Sequence, residues 1–264
     1  MAGITNIAGD ISFIIVKDPV RKEIGPMFGI KGRIGGISPS VMEIVPYDFF
    51  RVAPSDVGLV GITANIAHWD DAHFNNALKE LEYGAGYLGS RDVDFIIHFG
   101  APVVASRGPG YGKELIKLVE RAGRKPATTS IVSACDALRY INAEKVVIVS
   151  PYPSAINVNI QKYILSEGFN VLELATADVP FLHLHAKTPH EIADFCIDVL
   201  DRNIGPDALY IPCPQWQAMD AVKKIEDETG ITVIASDPAD FWVAFKHLGI
   251  QTVSKGYGRL LSLL

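Results

Sequence analysis

A chain of 264 residues is long enough to bury one large core or two of ordinary size. Its 48% hydrophobic and 20% charged residues are those of a globular protein and exclude intrinsic disorder. A net charge of −6 with no Lys/Arg-rich run gives no reason to expect nucleic acid, and no apolar stretch reaches the roughly 18 residues a bilayer span needs.

Residues 1–10 lack a basic region followed by a sustained apolar one, so they do not read as a secretory signal. Residues 1–32 fit neither of the units described next and are expected to form an arm or an edge strand. The apolar run at 34–40 reads as a buried strand that breaks at Ser38-Pro39-Ser40. Another strand-like run, 93–99, leads into Gly100-Ala101-Pro102. The glycine-rich stretch 108–112 lacks the spacing of a dinucleotide fingerprint and the ending of a P-loop, and reads as a flexible loop suited to a lid. Residues 113–122 have apolar positions at helical spacing with Gly123 as a stop.

A second unit is expected to begin near Lys125-Pro126. The run at 146–152 repeats the earlier strand and again breaks at Ser-Pro. A helix at 160–167 ends at Gly168, and 169–174 alternates as the next strand. Thr188, Pro189 and Glu191 open a helix as cap, first-turn proline and first-turn acid, and Asp237-Pro238-Ala239-Asp240 reads the same way. The domains expected are therefore 33–125 plus 245–264, with the tail folding back, and 126–244. Strands alternating with amphipathic helices predict an α/β fold of two similar halves with mainly parallel sheets.

The spacing carries the functional clue. Gly100 follows the first Ser-Pro break at nearly the distance at which Cys213 follows the second, after the strand-like run 207–212. Like positions in like halves suggest a shared site, with a thiol on one side and nothing on the other. Cys213 precedes Pro214, which suits a helix start, and a thiol at a helix N-terminus feels the positive end of the dipole. Ligands in parallel sheets sit outside the carboxyl ends of strands, where this residue belongs. The competing reading is a small buried hydrophobe, and this is the reading for Cys135 and Cys196. An odd count of three cysteines fits a reduced, cytoplasmic setting. His183, His185 and His190 invite a metal, since histidines two apart share a face of a strand, but no carboxylate or cysteine completes a ligand pattern. His98 reads as a core or rim histidine.

Residues 235–242, Ala-Ser-Asp-Pro-Ala-Asp-Phe-Trp, and 256–260, Gly-Tyr-Gly-Arg-Leu, resemble the aspartate/glutamate racemase superfamily, and within it the arylmalonate decarboxylase and maleate isomerase branch. Tyr152 and Asn157 match as well, and the resemblance covers nearly all of 33–260. It implies two similar α/β domains with the active site in the cleft between them. Racemases and isomerases of this kind generally carry a cysteine from each domain, whereas the decarboxylase, like this chain, has glycine in the first half and a single cysteine in the second.

The resemblance thus implies a cofactor-independent decarboxylase of a small malonate-like carboxylic acid, in which Cys213 protonates an enediolate. The alternatives are a racemase or cis-trans isomerase with another group, such as His98, as second base, or a silent ligand-binding relative. The departures fall where oxyanion donors are expected: Ala101 and Pro102 replace hydroxyl residues, and Pro214 has no N–H. Tyr152 and the Ala101 N–H remain as donors, with Ser38, Ser40, Gln215 or His98 as replacements beside Pro39 and Gly100. Trp216 and Phe99 are candidates for an enlarged apolar wall. No metal, nucleic-acid or membrane partner is expected, and a homo-oligomer is compatible with the sequence.

Overall fold

The computed structural model describes residues 28–251 and 256–264, so the expected arm lies outside the described residues except for its last few positions. Two four-stranded sheets account for the strands. The first holds β1 (Gly32–Ser38), β2 (Val57–Thr63), β3 (Phe95–His98) and β4 (Ala127–Thr129) in the order β2-β1-β3-β4. The second holds β5 (Lys145–Ser150), β6 (Asn170–Thr176), β7 (Ala208–Ile211) and β8 (Thr232–Ala235) in the order β6-β5-β7-β8. Every pairing is parallel, so the near-repeat in the sequence is a repeat of topology. Central strands covered on both faces need continuous apolar runs. Val146, Val147, Ile148 and Val149 supply one and are fully buried, each stabilising the fold by roughly 1.5–3 kcal/mol.

Nine helices among the described residues cover the sheets: α1 (Ile44–Val52), α2 (Asp71–Ser90), α3 (Ala101–Ala105), α4 (Tyr111–Gly123), α5 (Ser130–Tyr140), α6 (Ser154–Ser166), α7 (Pro189–Asp201), α8 (Ala218–Thr229) and α9 (Ser236–Leu248). Thr188 caps α7 with a full capping box to Glu191, as its sequence predicts. The two helices that follow the last strand of each sheet, α5 and α9, pack against each other between the halves. A buried chain of bonds joins them: the Gly100 N–H donates to Ser130 Oγ at 3.0 Å, and Ser130 Oγ donates to Asp240 Oδ2 at 2.5 Å.

The register explains the sequence spacing. Ile37 pairs with His98 and Ile148 with Tyr210, so the continuing chain sets Pro39 beside Gly100 and Pro151 beside Cys213. Both pairs sit where strand order reverses, at the carboxyl ends of the strands, the crevice in which open parallel sheets bind ligands. Each Ser-Pro corner also holds the loop after the next strand. Ile66 N–H donates to the Pro39 carbonyl and Val179 N–H to the Pro151 carbonyl, both at 2.8 Å.

Four expectations change. The first sheet does not stop at Lys125-Pro126: β4 pairs with β3 and carries it to Thr129, because pairing rather than proline placement sets the edge. Asp237 is not a cap: α9 begins at Ser236 with Ala235 in the cap position, and Asp237 is buried in the first turn. The tail splits between the halves. Leu248 and Ile250 reach Gly32 of β1, whereas Arg259 donates its backbone N–H to Glu226 Oε2 at 2.8 Å on α8. His183 and His185 lie in a 3-10 turn (Phe181–Ala186), not a strand, so the shared-face argument for a metal does not apply to them.

Candidate active site

The cleft is built from both Ser-Pro corners and what stands beside them. Ser38, Pro39, Ser40, Gly100, Tyr152, Cys213 and Gln215 line one chamber, together with Pro102 and Pro214. Seven of the eight residues expected from the sequence therefore meet. The eighth, Ala101, is fully buried at the first position of α3 and does not line the chamber. A larger groove of about 660 Å³ lies between the last turns of α5 and α9, where Tyr140, Trp242 and Lys246 meet. It opens at the amino ends of β3 and β4, away from the switch points, and holds none of these residues.

Gly100 stands at φ +89°, a backbone that side chains rarely adopt, and a Cβ there would lie 3.2 Å from Pro39 Cγ. Position 100 thus holds the chamber open. Across from it Cys213 is 2% exposed. It does not sit at a helix N-terminus as expected, because residues 212–217 form a turn and α8 starts only at Ala218. Burial is what governs its thiol, pushing the pKa from the ordinary 9.0 up to about 12. The nearby Tyr152 hydroxyl and the Gln215 and Trp216 amides pull the other way, and buried Asp237 pushes up again. A pKa so raised keeps the thiol protonated at neutral pH.

The other polar groups are mostly committed. Tyr152 Oη donates to the Pro212 carbonyl at 2.9 Å, which fixes the turn carrying Cys213. Asn157 closes the corner beneath it: Ser150 Oγ donates to Asn157 Oδ1 at 2.8 Å, and Asn157 Nδ2 donates to the Tyr152 carbonyl at 2.8 Å. Gln215 bridges the halves, donating to the Val41 carbonyl and accepting from the Ile44 N–H. Ser38 Oγ donates to the same carbonyl at 3.4 Å. Ser40 has no such commitment among the described residues and is partly exposed in the chamber. His98 is buried, does not line the chamber, and has its pKa lowered by burial to about 4, so it is not placed as a second base. Phe99 and Trp216 are likewise buried outside the lining, so neither forms the apolar wall.

That wall comes from residues the sequence did not single out. Trp69, in the loop after β2, packs edge-on against Tyr152 at 5.0 Å and against Phe181, in the loop after β6, at 4.4 Å. Leu184 and Ile66 complete the closure. The signal was available in the repeat: these two loops hang from the two Ser-Pro corners by the same backbone bond. The result is a narrow chamber of about 30 Å³, room for about two waters. Among the described residues no three His, Cys, Asp or Glu side chains gather as a metal would require, and no helix is long and apolar enough to cross a membrane. Cys135 and Cys196 are buried on α5 and α7 with thiol pKa values raised by burial, as core residues should be.

Comparison with known proteins finds relatives of the same fold. The family described as Arylmalonate decarboxylase matches residues 34–261. Arylmalonate decarboxylase of Bordetella bronchiseptica is 21% identical over 229 residues, 86% of this chain and 95% of that one. The crystal structure of a maleate isomerase from Pseudomonas putida S16 superposes with a TM-score of 0.80 at 22% identity, covering 88% of this chain and 98% of the other. A Nocardia farcinica maleate cis-trans isomerase mutant, solved with a covalently bound succinylcysteine intermediate, superposes with a TM-score of 0.79 at 19% identity, covering 88% and 99%.

Proposed function

Since the chain belongs to the arylmalonate decarboxylase family, whose matched relatives are decarboxylases and maleate isomerases, we propose that it is a cofactor-independent decarboxylase of a small malonate-like carboxylic acid, with Cys213 as proton donor. One observation carries the reading. The chamber holds a single thiol, and the other half contributes Gly100, whose positive-φ backbone leaves space rather than a second acid or base.

The chemistry follows from the surroundings. One carboxylate of the substrate lies against the apolar closure of Trp69, Phe181 and Leu184, where its charge is poorly solvated. It leaves as CO2, and the electrons of the broken C–C bond pass into the remaining carboxylate to give an enediolate. Ser40 Oγ is the uncommitted donor for that charge. The Cys213 S–H then gives its proton to the α-carbon from one side, and water restores the thiol. A thiol held protonated by burial suits this role and disfavours the thiolate addition that cis-trans isomerisation requires.

Proton NMR in deuterated water tests the assignment on substituted malonates, maleate and simple amino or hydroxy acids. Malonate loss with one deuterium at the α-carbon, abolished in Cys213→Ala, is the expected result. Isomerisation or exchange without carbon loss would move the protein to the isomerase branch. Ligand binding unchanged by Cys213→Ala, with no turnover of any compound, would make it a binding relative.

A further inference from the structure

Loss of carbon dioxide from a malonate dianion takes up one proton for each product, so the proton of Cys213 has to be replaced at every turnover. The thiol is 2% exposed, and the narrow chamber beside it leaves no room for water next to a substrate. Behind the thiol stands a group of buried carboxyls. β7 and β8 end in register, Ile211 beside Ala235, and Cys213 and Asp237 each follow two residues later. Asp237 lies outside the chamber lining, is 3% exposed, and is close enough for its charge to act on both Cys213 and Tyr152. Neither of its carboxyl oxygens has a hydrogen-bond partner among the described residues, nor has the hydroxyl of Ser236 next to it. A buried carboxyl without partners is costly unless it carries a proton, and burial together with Asp48 and Asp240 keeps that proton on it. The first half has no such group. There His98 pairs with Thr129, and the residue two beyond, level with Gly100, is Ile131. The carboxyl stands only in the half that carries the thiol.

The group continues outward to solvent. α1 packs on α9 through Phe49, whose ring meets Phe241 edge-on at 5.4 Å, and this brings Asp48 within electrostatic reach of Asp237. Asp48 is buried, and its carboxyl is raised from 3.8 to about 7 by burial and by Asp220, against the pull of Arg51. Arg51 Nη1 donates to Asp48 Oδ1 at 3.4 Å and to Asp220 Oδ2 at 2.8 Å, and both Arg51 and Asp220 are partly exposed. We infer that Asp237 and Asp48 form a proton path that recharges Cys213 from behind, with Asp237 as the residue that supplies the thiol. The S–H bond of Cys213 breaks as its proton goes to the α-carbon, leaving a thiolate. The O–H proton of Asp237 then passes to Sγ, Asp48 passes its own proton to Asp237, and water beside Arg51 and Asp220 restores Asp48. This inference rests on Cys213 as the proton donor.

Asp237→Asn keeps the shape and removes the proton. With 2-methylmalonate and 2-phenylmalonate in quenched flow, the expected result is a burst of one product per chain at the wild-type rate, from the proton Cys213 already holds. The steady state that follows is expected to be about a hundredfold slower than in wild type. A merely structural lesion slows both phases alike, and that outcome, or a steady state equal to wild type, overturns the path. Asp48→Asn, farther from the thiol, is expected to slow the steady state in the same way and carries the test if Asp237→Asn does not fold. A second readout needs no substrate. In deuterated water the infrared S–H band of Cys213, assigned by its loss in Cys213→Ala, is expected to convert to S–D about a hundredfold more slowly in Asp237→Asn than in wild type. Slowed exchange without turnover of either malonate upholds the path, and in that case it is the decarboxylase reading alone that fails. Equal exchange in the two proteins overturns the path.

Discussion

The two crossovers that meet in the cleft start alike and end differently. After β3 the chain turns through Gly100 at φ +89° directly into α3, so the first half offers an open position and a helix end. After β7 the chain runs through Cys213 and a turn before α8 begins, so the second half offers a buried thiol with no helix terminus behind it. The topology is the same on both sides, and the chemistry is set by one residue and the loop around it. A pseudo-symmetric scaffold can thus hold an asymmetric site, suited to placing a proton on one face of a carbon.

The comparison breaks most directly at Cys213. Replacing it by alanine is expected to lower turnover by about 10² to 10⁴ with the fold intact by circular dichroism, since it removes the positioned acid. Activity within a few-fold of wild type would show that the asymmetry is not catalytic. The protonated state has its own readout. With a thiol pKa near 12 instead of 9.0, Cys213 is expected to react with iodoacetamide about a thousandfold more slowly at neutral pH than an exposed cysteine. Rapid labelling at pH 7, located by mass spectrometry, would contradict the proton-donor state and favour a thiolate.

The link between the halves is expected to show in stability. Burial raises the Asp240 carboxyl from 3.8 to about 7, and the bond from Ser130 offsets only part of this. A raised folded pKa means that the contribution of Asp240 is full below its unfolded value and is lost as pH rises through the folded one. Asp240→Asn, neutral throughout, is therefore expected to gain on wild type by about 4 kcal/mol between pH 4 and pH 8, read from urea midpoints. Parallel curves for the two proteins would remove the buried carboxyl from the account. Gly100→Cys sharpens the same comparison from the first half. The backbone strain and the approach to Pro39 are expected to cost about 1–3 kcal/mol of stability. If the second thiol reaches the opposite face, deuterium exchange at the α-carbon of a chiral product rises. No rise in a folded variant would mean that the two positions do not face one substrate carbon.

Much of this was legible before folding was considered. The helix at α4 and the capping box of α7 follow from periodicity and from Thr188-Pro189-His190-Glu191. The helix start placed at Asp237 was displaced because the residue is buried in the first turn of α9, near Asp48 of α1, rather than left to cap in water; its carboxyl is held well above the ordinary range by burial and by Asp48 and Asp240. The edge of the first sheet was missed because β4 is three residues long, too short to leave a pattern. Gln215 was expected as a free donor and instead ties Val41 and Ile44 to the second half, a contact between distant parts of the chain.

By itself the sequence determined the two like halves, the strands that end at Ser-Pro, and the placing of Gly100 and Cys213 at matching switch points. These depend on local periodicity and on spacings that the strand register preserves. Only the tertiary structure decided that Trp69 and Phe181 close the chamber, that His98 and Trp216 stay out of it, and that Cys213 carries its proton. Those outcomes depend on which remote side chains exclude water from a group, and desolvation is a property of the packed surroundings, not of the neighbours in the chain.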